Sequence, residues 1–405
     1  MRIAFCTPAD VHALARSLDR ETAGVAPGLG STAITPLIIE LLRRGHSVTL
    51  YTLSNGLGQE QFHHWGNLRV FIGPSRSFGS PRDFYRKEIV YLKRVIRADA
   101  PAFVHAHWTY EFALAALDSG VPTITTIHDL PWNVLRYYRD RCRAVRVLMA
   151  YMVAAKGRCF TAVSPDAAGH FRRWFRPGAA INVIPNFLRN SIFELGRTKP
   201  AQADRPLTFV TTMHGWTRLK NATCALQAFH VVRRSLPTTR LLMVGADYQA
   251  GGPAHQWARE RGLDEGVTFC GPMQNSALIE FVGREADVLV HPSLNEAFSV
   301  AVSECMALRK PVIAGIHTTG MRWALDDGRC GLLADVRRPE EVARAMYLVA
   351  TDETLRERLS EAAFERVWNL FRADVVVPQY EALYRDTETR LGKDAWQCSE
   401  RRGVA

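Results

Sequence analysis

The chain has 405 residues, of which 47% are apolar, and its formal net charge is +11. At roughly 100 to 200 residues per domain, this length indicates two domains. The longest uncharged apolar run in the basic part, residues 147–155, is about half as long as a membrane span requires, and the first residues, MRIAFC, read as a strand rather than a secretory signal. We therefore expect a cytoplasmic protein without a transmembrane helix.

The first half of the chain alternates short apolar runs with helical stretches. Its candidate strands are residues 2–6, 46–52, 68–73, 103–108, 122–129, 159–164 and 181–185. Residues 33–46 form a candidate helix, in which Gly45 stands where a helix end favours glycine. Short apolar strands that alternate with helices predict a parallel sheet that is covered on both faces.

The same alternation begins again after residue 206. The candidate strands of this half are residues 207–213, 239–245, 267–271, 287–293 and 310–315, with a helix at 221–236. Because residues 193–206 have the composition of a linker, we expect one domain at 1–195 and a second at 196–370. Ligands of such sheets lie off the carboxyl ends of the strands, so two facing halves would form a cleft with a site on each side.

Two acidic residues, Glu296 and Glu304, stand in the apolar segment 291–315, which reads as a strand end, a loop and a buried helix. A buried carboxylate is costly unless a partner hydrogen-bonds to it. If the helix begins near Ser299, both carboxylates can point toward the strand ends. There they could accept paired hydrogen bonds from the neighbouring hydroxyls of a sugar.

The start of this helix is also a candidate anion site. The backbone N–H groups of Phe298, Ser299 and Val300 would have no acceptor inside the helix, and a dianionic phosphate would fit there. A purely structural alternative needs no ligand. It makes Glu296 a first-turn residue that the helix dipole favours and Glu304 an exposed gap in an apolar helix.

The span from Ala286 to Gly315 resembles the E-x7-E signature of the family 4 retaining glycosyltransferases, which have the GT-B architecture of two facing Rossmann-like domains. Further segments are similar to that family in the same order, namely 213–229, 240–248, 267–273 and 328–346, and in the first half VHAHW, TIHD, TAVS and VIPN. The resemblance covers the chain from Met1 to about Tyr384. It implies an α/β fold of GT-B type and a helix at 371–387 that crosses back to the first domain. We expect a mobile tail at 388–405.

The resemblance assigns roles to several residues of the second half. In the family the second glutamate, here Glu304, holds the ribose hydroxyls of a nucleotide-sugar donor, and the first, here Glu296, contacts the transferred sugar. A basic pair for the donor diphosphate follows a glycine, which matches Gly215 followed by Arg218 and Lys220. Fixed cations stabilise the leaving nucleoside diphosphate without a metal. The alternative is that both are ordinary first-turn basic residues, which the helix dipole disfavours.

The second half also departs from the family. Trp216 stands where many members have an arginine and its loop is one residue shorter, which favours Lys220 over Arg218 as the main diphosphate contact. The segment that ends at Met273 matches a donor-binding loop of the family. Thr319 and Gly320 stand where the family has a double glycine, and their backbone amides could still bind the sugar hydroxyls.

In the first half, residues 24–37 resemble the glycine-rich loop before the family's first helix. Gly28 and Gly30 match its donor-binding glycines, although Pro27 and Leu29 interrupt the family's double glycine. A glycine cluster of this kind can also be a mobile loop without a ligand. His128, in TIHD, matches a histidine that touches the donor sugar in the family, while a lone histidine is more often structural.

Two further features of the first half lie close to these motifs. His105 and His107 alternate on one strand, as a metal-binding pair would, but the sequence nearby offers no third ligand. We therefore expect them to be a buried structural pair. After VIPN, Phe187 stands where the family often continues Gly-Val-Asp.

The basic charge is concentrated in the first half. Residues 131–176 carry a local net charge of +8 and residues 76–97 one of +5, and aromatic residues are interleaved with the bases of the former. This pattern fits an anionic membrane surface, to which each nearby base contributes about 1 kcal/mol, or a solvated basic face. No nucleic-acid-binding module is recognisable, so we expect no nucleic-acid partner.

Together these features predict a retaining glycosyltransferase without a metal or cofactor, which moves a hexose-type sugar from a UDP- or GDP-sugar to an acceptor hydroxyl. The expected catalytic residues are Glu296, His128 and Lys220. The acceptor would be a saccharide or a lipid-linked saccharide of cell-surface or exopolysaccharide assembly. Two other classes stay open: a nucleotide-sugar epimerase or hydrolase of the same architecture, and a non-catalytic relative that binds a membrane or a partner.

Overall fold

The computed structural model describes residues 1–76, 79–198 and 205–402, with side chains as far as residue 390. The chain divides into two compact units. The first unit consists of Met1–Leu135, Arg139–Phe187 and the residues from Ala373 onward. The second unit consists of Arg136–Tyr138 and Leu188–Arg372.

The first unit is built on an eight-stranded sheet in the order β3-β4-β2-β1-β5-β6-β7-β8. Its strands are β1 (Arg2–Cys6), β2 (Ser47–Asn55), β3 (Gln61–Trp65), β4 (Leu68–Ser75), β5 (Val104–His107), β6 (Thr123–Ile127), β7 (Cys159–Ala162) and β8 (Ile181–Val183). Every neighbouring pair is parallel except β3 and β4, which are antiparallel.

The helices of the first unit connect these parallel strands. They are α1 (Val11–Arg16), α2 (Ile34–Arg43), α3 (Arg86–Asp99), α4 (Glu111–Asp118), α5 (Pro131–Tyr138, of which Arg136–Tyr138 are assigned to the second unit), α6 (Arg141–Lys156) and α7 (Pro165–Trp174), with a 3-10 turn at Ser80–Asp83. After α2 the chain turns at Gly45, whose φ of +83° lies in the left-handed region that favours glycine. The predicted helix at 33–46 is thus confirmed, with shorter bounds.

The second unit has an all-parallel sheet of six strands in the order β11-β10-β9-β12-β13-β14. Its strands are β9 (Thr208–Thr212), β10 (Arg240–Val244), β11 (Val267–Gly271), β12 (Val288–His291), β13 (Val312–Gly315) and β14 (Leu332–Ala334). Its helices are α8 (Asn190–Arg197), α9 (Ala222–Ser235), α10 (Pro253–Arg259), α11 (Asn275–Glu285), α12 (Val300–Ala307), α13 (Met321–Ala324), α14 (Pro339–Thr351) and α15 (Glu353–Leu370), with a 3-10 turn at Asp326–Gly328.

Helices cover both faces of the second sheet because successive strand residues point to opposite sides. Val210 of β9 packs into one core with α8, α11, α12 and α15, while its neighbour Phe209 packs into the other with α9, α10 and α14. Helix α12 lies deep in the first of these cores, where Val302, Met306 and Ala307 are fully buried. The structure therefore confirms the predicted buried helix.

The last helix, α16 (Ala373–Arg402), returns to the first unit. Val376, Val377 and Tyr380 are buried in one core with α2, β1 and β2. Tyr384, also fully buried, packs against Phe5 of β1 with the rings edge to face at 6.4 Å. The helix continues beyond the expected 371–387. The side chains of 391–402 and residues 403–405 lie outside what the structure describes, so the mobile tail stays a prediction.

The structure differs from the predicted organisation around the junction of the units. Residues 193–197 of the expected linker belong to α8, whose Phe193 is 2% exposed in the core of the second unit. Phe187 packs against the core of the first unit and Leu188 lies in that of the second. The units therefore part between these two residues, eight positions before the predicted boundary at 195. The linker-like composition of 193–206 gave no indication of this short amphipathic helix.

Within the described ranges all twelve predicted strands are present, together with two strands that were not predicted. β3 is an edge strand with an exposed Phe62, and β14 has only three residues. A sequence signal for β3 did exist, because Trp65 pairs with Leu68 across the two-residue loop Gly66–Asn67, a hairpin composition. No helix in the described ranges is both long and apolar enough to cross a bilayer.

Candidate functional site

In the second unit, the loop 213–221 carries the chain from the carboxyl end of β9 to α9. Gly215 has a φ of +84°, and the next residue, Trp216, donates its backbone N–H to the Asp247 carboxylate at 2.9 Å. Asn221 ends the loop and donates its amide N–H groups to the carbonyl oxygens of Pro292 and Val336, at 3.1 and 2.7 Å. The loop is therefore fixed against the ends of β12 and β14, which places Lys220 at the carboxyl edge of the sheet.

Glu296 lies in the loop between β12 and α12, where two basic side chains approach it. Lys220 Nζ donates to Glu296 Oε1 at 2.8 Å, and His291 Nε2 lies 3.4 Å from the same oxygen. Burial raises the pKa of Glu296, but the His291 hydrogen bond and the Lys220 charge lower it more, to about 2. Glu296 is therefore a carboxylate that is ionised near neutral pH and paired with Lys220, rather than a first-turn residue stabilised by the helix dipole alone.

Glu304 lies inside α12 and is 7% exposed. Asn275 Nδ2, at the start of α11, donates to Glu304 Oε1 at 3.1 Å, and Arg189 donates in turn to Asn275 Oδ1. Burial raises the pKa of Glu304, while the Asn275 hydrogen bond and the charge of Arg189 act in the opposite direction. The alternative of an exposed gap in an apolar helix is wrong for Glu304, because its side chain is buried and hydrogen-bonded.

Helix α12 begins as predicted. Ser299 is its N-cap and accepts the N–H of Val302 at 3.3 Å, so Phe298, Ser299 and Val300 form its N-terminal end. The N–H groups at such an end have no acceptor within the helix, and this end lies at the same sheet edge as Glu296. The arrangement can bind an anion.

The loop after β13 packs directly on the loop that contains Glu296. Thr318 is 3% exposed and donates to the Ser293 carbonyl oxygen at 2.6 Å. Gly320 has a φ of +81°, and a Cβ there would lie 2.8 Å from the Glu296 carbonyl oxygen. Thr319 and Gly320 are therefore adjacent to Glu296, and glycine is required at 320 by both its backbone conformation and the close approach.

Two other predicted donor-site residues of the second unit differ in their surroundings. Arg218 is exposed on the loop after β9, with no ion pair to any described residue. Met273 follows β11 and is half-buried against the same core as Phe298. Arg218 thus remains available to an anion, and Met273 lies beside Asn275, the partner of Glu304.

In the first unit, His128, the residue predicted to contact the donor sugar, directly follows β6 at its carboxyl end. His128 Nε2 lies 2.8 Å from His107 Nδ1, and the Trp108 indole stacks on the His128 ring with centroids 4.4 Å apart. Burial lowers the pKa of His128 to about 3, and burial and its histidine neighbours lower the pKa of His107 as well. His105 and His107 are both fully buried, so the predicted structural pair is confirmed.

The glycine-rich loop of the first unit packs on the loop after β1. Gly28 has a φ of +80°, and a Cβ there would lie 2.2 Å from the Ala9 carbonyl oxygen, so no other residue fits without a backbone shift. Gly30, with a φ of +74°, donates its N–H to the same carbonyl at 3.1 Å. Here glycine serves the packing of two loops, and a donor-binding role for either residue stays a prediction.

Sequence reasoning missed three residues of the site: His291, Asn275 and Arg189. His291 is the first residue of the segment 291–315 and stands at the end of β12, where the carboxyl end of a strand is a signal for a ligand-side residue. Arg189 occupies the place of the aspartate in the family's Gly-Val-Asp continuation. The substitution of an arginine for an acid could have indicated a changed partner.

The two α/β units with parallel sheets define a protein of the GT-B fold, and solved structures agree. A sucrose-phosphate synthase from Thermosynechococcus elongatus matches with a TM-score of 0.75 at 18% identity, over 95% of this chain and 98% of that one. An E. coli trehalose-6-phosphate structure bound with UDP-2-fluoro glucose matches with a TM-score of 0.70 at 11% identity, over 96% and 99%. Anabaena HepE in complex with UDP matches with 0.66 at 14%, over 95% and 100%.

Sequence comparison identifies the family. The profile of glycosyltransferase family 4 matches residues 30–189, and that of the glycosyl transferases group 1 matches residues 200–366. The chain belongs to the family 4, group 1 glycosyltransferases.

Curated relatives are similar over parts of their length. The D-inositol 3-phosphate glycosyltransferase of Paenarthrobacter aurescens is 29% identical over 85% of this chain and 90% of that protein. The N-acetyl-alpha-D-glucosaminyl L-malate synthase of Bacillus anthracis is 23% identical over 70% and 74%. The match to the D-inositol 3-phosphate glycosyltransferase of Corynebacterium glutamicum, 33% identical, spans 32% of this chain and 30% of that protein.

Proposed function

We propose that the protein transfers a hexose-type sugar from a nucleotide-diphosphate sugar to an acceptor hydroxyl, with retention of anomeric configuration. The observation that carries this proposal is the ion pair of Lys220 and Glu296, which lies beside the start of α12 at the carboxyl edge of the second sheet. A cation, a helix N-terminus and a fixed carboxylate at one sheet edge suit a ligand that is both anionic and rich in hydroxyls.

Each residue would act on one part of the donor. Lys220, with Arg218 as a second cation, stabilises the negative charge that develops on the leaving diphosphate. Glu304 accepts hydrogen bonds from the ribose hydroxyls through the oxygen that Asn275 does not occupy. Glu296 accepts hydrogen bonds from the transferred sugar, next to the backbone of Thr319 and Gly320. For His128, a contact with the donor sugar stays a prediction from the family resemblance.

The charge state of Glu296 restricts the proton path. A carboxylate with a pKa of about 2 is neither an acid that protonates a leaving group nor an effective base near neutral pH. The acceptor proton would therefore pass to the oxygen of the leaving phosphate as the new glycosidic bond forms on the same face of the sugar. Fixed cations supply the electrostatic stabilisation, so the proposed step uses no metal.

For the donor base and for the acceptor, we propose a chemical class rather than a single compound. Several structural neighbours were solved with UDP or a UDP-sugar, which favours a UDP-sugar over a GDP-sugar as the first donor to test. The acceptor would be a saccharide, free or lipid-linked, of cell-surface or exopolysaccharide assembly. Epimerisation or hydrolysis of the donor, and binding without catalysis, are the alternatives that the experiment has to separate.

The decisive experiment measures release of nucleoside diphosphate from a panel of UDP- and GDP-sugars, with and without soluble saccharides or a lipid extract. Release that depends on an acceptor, with a product of the donor's anomeric configuration by NMR, supports the proposal. Release without acceptor indicates the epimerase or hydrolase, and an inverted product contradicts retention. Binding of a nucleotide sugar without turnover under all these conditions indicates the non-catalytic relative.

A surface patch of the first unit supports a membrane partner for the lipid-linked case. It consists of five exposed apolar or aromatic side chains from α5, α6 and α7: Trp132, Leu148, Tyr151, Met152 and Trp174. The rings of Trp132 and Trp174 lie 6.0 Å apart, and Trp132 Nε1 donates to the Tyr151 hydroxyl at 3.3 Å. Exposed bases of the same helices, such as Arg141 and Arg173, give the patch the charge that anionic headgroups attract.

We propose an anionic lipid surface as the occupant of this patch. Sedimentation with phosphatidylglycerol-containing vesicles at low salt should capture the protein, and neutral phosphatidylcholine vesicles should capture less. Changing Trp132 and Trp174 together to Ala should remove most of the binding, while Tyr347→Ala, an exposed aromatic on α14 of the second unit, serves as the control. Equal binding of both variants, or none by the unchanged protein, would contradict the membrane proposal.

A further inference from the structure

The histidine cluster of the first unit holds His128 in one orientation. His107 lies at the end of β5 and contacts the edge of His128 through a nitrogen–nitrogen distance of 2.8 Å. Trp108 covers the face of the same ring with an interplanar angle of 25°. Its backbone φ of +64° is unusual for a bulky residue, so the surrounding structure imposes this stacking.

His107 Nδ1 and His128 Nε2 share one hydrogen, and the tautomers of the two rings determine which of them is the donor. Burial disfavours the charged form of each, so both rings are neutral, and each carries its proton on one of its two nitrogens. Either His107 Nδ1–H donates to His128 Nε2, or His128 Nε2–H donates to His107 Nδ1. The other nitrogen of each ring then has the complementary state.

The surroundings of His107 Nε2 distinguish these two arrangements. This nitrogen is buried and has no hydrogen-bond partner among the described residues. If His128 were the donor, His107 Nε2 would carry a buried N–H without an acceptor, a feature that folded proteins rarely tolerate. The ring of Phe5 cannot serve as that acceptor, because it stacks on His107 at 17° and an N–H lies in the plane of its own ring. If His107 is the donor, only a lone pair is left without a partner.

We propose that His107 donates its Nδ1–H to His128, so that His128 carries its own proton on Nδ1 and presents this N–H to a ligand oxygen. His107 is thus a positioning residue that fixes the tautomer of His128. The Nδ1 atom of His128 has no partner among the described residues, and the ring is half-buried rather than enclosed. The identity of the ligand rests on the proposed function, whereas the tautomer does not.

This assignment changes the role expected of His128. A neutral imidazole whose only free nitrogen carries hydrogen cannot accept a proton from the acceptor hydroxyl. It can donate a hydrogen bond to a hydroxyl or phosphate oxygen of the nucleotide sugar. His128 is therefore assigned as a binding donor and not as the general base, in agreement with a proton that leaves through the phosphate.

The direct test reads the tautomer without any activity measurement. Histidine labelled with 15N in the ring distinguishes protonated from unprotonated nitrogens by chemical shift, and a His128→Asn variant identifies the His128 signals. We expect a protonated Nδ1 and an unprotonated Nε2 for both His107 and His128. A protonated Nε2 on His128 would overturn the proposal, whatever the protein's substrate proves to be.

A second test uses side chains that imitate one nitrogen each. The amide nitrogen of Asn can occupy the position of histidine Nδ1, and that of Gln the position of Nε2. We expect His128→Asn to bind the nucleotide sugar within a few-fold of the unchanged protein and His128→Gln to bind it about tenfold more weakly, a loss of about 1.4 kcal/mol, which lies in the range of one net hydrogen bond. The reverse order would overturn the assignment.

The positioning role of His107 has its own pair of variants. His107→Asn retains a donor at the Nδ1 position and should keep the nucleotide-sugar affinity, whereas His107→Phe removes it and should lower the affinity without abolishing folding, as checked by thermal unfolding. Equal affinity of the two folded variants would contradict the role. If the unchanged protein binds no nucleotide sugar, the proposed function fails, and the 15N spectra still decide the tautomer.

Discussion

The two units keep ionisable side chains buried at strand ends in opposite ways. In the second unit, Glu296 stays ionised because Lys220 and His291 share its burial. In the first unit, His107 and His128 contact other imidazoles and aromatic rings, and burial leaves them neutral. The charge of a buried group therefore depends on whether an opposite charge is buried with it. One unit therefore offers fixed charges and the other neutral hydrogen-bond donors.

Acid should destabilise the first unit more than the second, and this is the largest effect that we expect. The unfolded chain takes up protons on its histidines below about pH 6.5, whereas folded His105 and His128 do so only near pH 3. The unfolded state thus binds more protons, and the free energy of unfolding should fall by about 2 kcal/mol for each of these two histidines between pH 7 and 5. Glu296, whose pKa is lowered from 4.5 to about 2, also contributes to the free energy of unfolding. This contribution is fully present above pH 4.5 and is lost only as the pH falls below that value.

Urea-dependent proteolysis at pH 7 and pH 5, with fragments assigned to each unit by mass spectrometry, measures this difference. The urea midpoint of the first unit should fall more than that of the second. His64→Asn, which changes an exposed histidine of β3, is the matched control and should leave the pH dependence as it is. Equal shifts in the two units would contradict the comparison.

Removing the cation from the charged site is expected to have the next largest effect. Lys220→Met should lower the transfer rate by about 10²- to 10³-fold, because it removes a fixed charge from the leaving diphosphate. It should also destabilise the fold, since Glu296 would lose its ion-pair partner in a largely buried position. The double variant Lys220→Met with Glu296→Gln should regain stability in urea titrations without regaining activity. A double variant no more stable than the single one would refute the pairing argument.

A smaller effect is expected when only nucleotide contacts are lost. Glu304→Ala should weaken the binding of the preferred nucleoside diphosphate by about ten- to a hundredfold, because hydrogen bonds to a charged group contribute about 1.5–3 kcal/mol. Isothermal titration calorimetry with UDP and GDP measures this loss. Glu280→Ala, an exposed acid on α11, is the control and should bind like the unchanged protein. Unchanged affinity in Glu304→Ala would remove the ribose role.

The smallest effect is expected from changing Asn275, whose side chain hydrogen-bonds to Glu304. Asn275 favours the ionised form of Glu304, so Asn275→Ala should raise the pKa of that carboxyl further. The pH below which nucleotide binding weakens should therefore move upward. Calorimetric titrations between pH 5 and 8 measure the shift, and Ser276→Ala, an exposed neighbour, should show none. A downward shift would show that Asn275 does not support the carboxylate.

The sequence predicted the residues of the charged site better than their partners. The apolar composition of 291–315 predicted a buried helix that begins near Ser299, as α12 does, and the cost of burial singled out Glu296 and Glu304. The contact of Lys220 with Glu296 joins residues 76 positions apart, and no local pattern specifies such a pair. Arg189 and Asn275 were missed for the same reason, because their link to Glu304 depends on how α8, α11 and α12 pack.

For the histidine cluster of the first unit, the sequence predicted the burial of two rings but not their hydrogen-bond partners. His105 and His107 were expected to be a buried structural pair because the sequence nearby offers no third metal ligand. Both are buried, but the partner of each ring comes from a distant segment. His105 contacts Thr126 and Tyr384, and His107 contacts His128. The edge strand β3 and helix α8 were missed because short elements with polar or mixed composition carry weak periodicity.

The return of α16 bears on how the protein is made. Tyr384 hydrogen-bonds to His105 at 2.8 Å and packs in the core of the first unit, although the two residues are 279 positions apart in the chain. During translation, all of residues 188–372 leave the ribosome before the helix that completes this core. A nascent chain therefore carries an unfinished first unit while the second can already fold, and a chaperone that shields exposed apolar surface would have its longest opportunity at that stage.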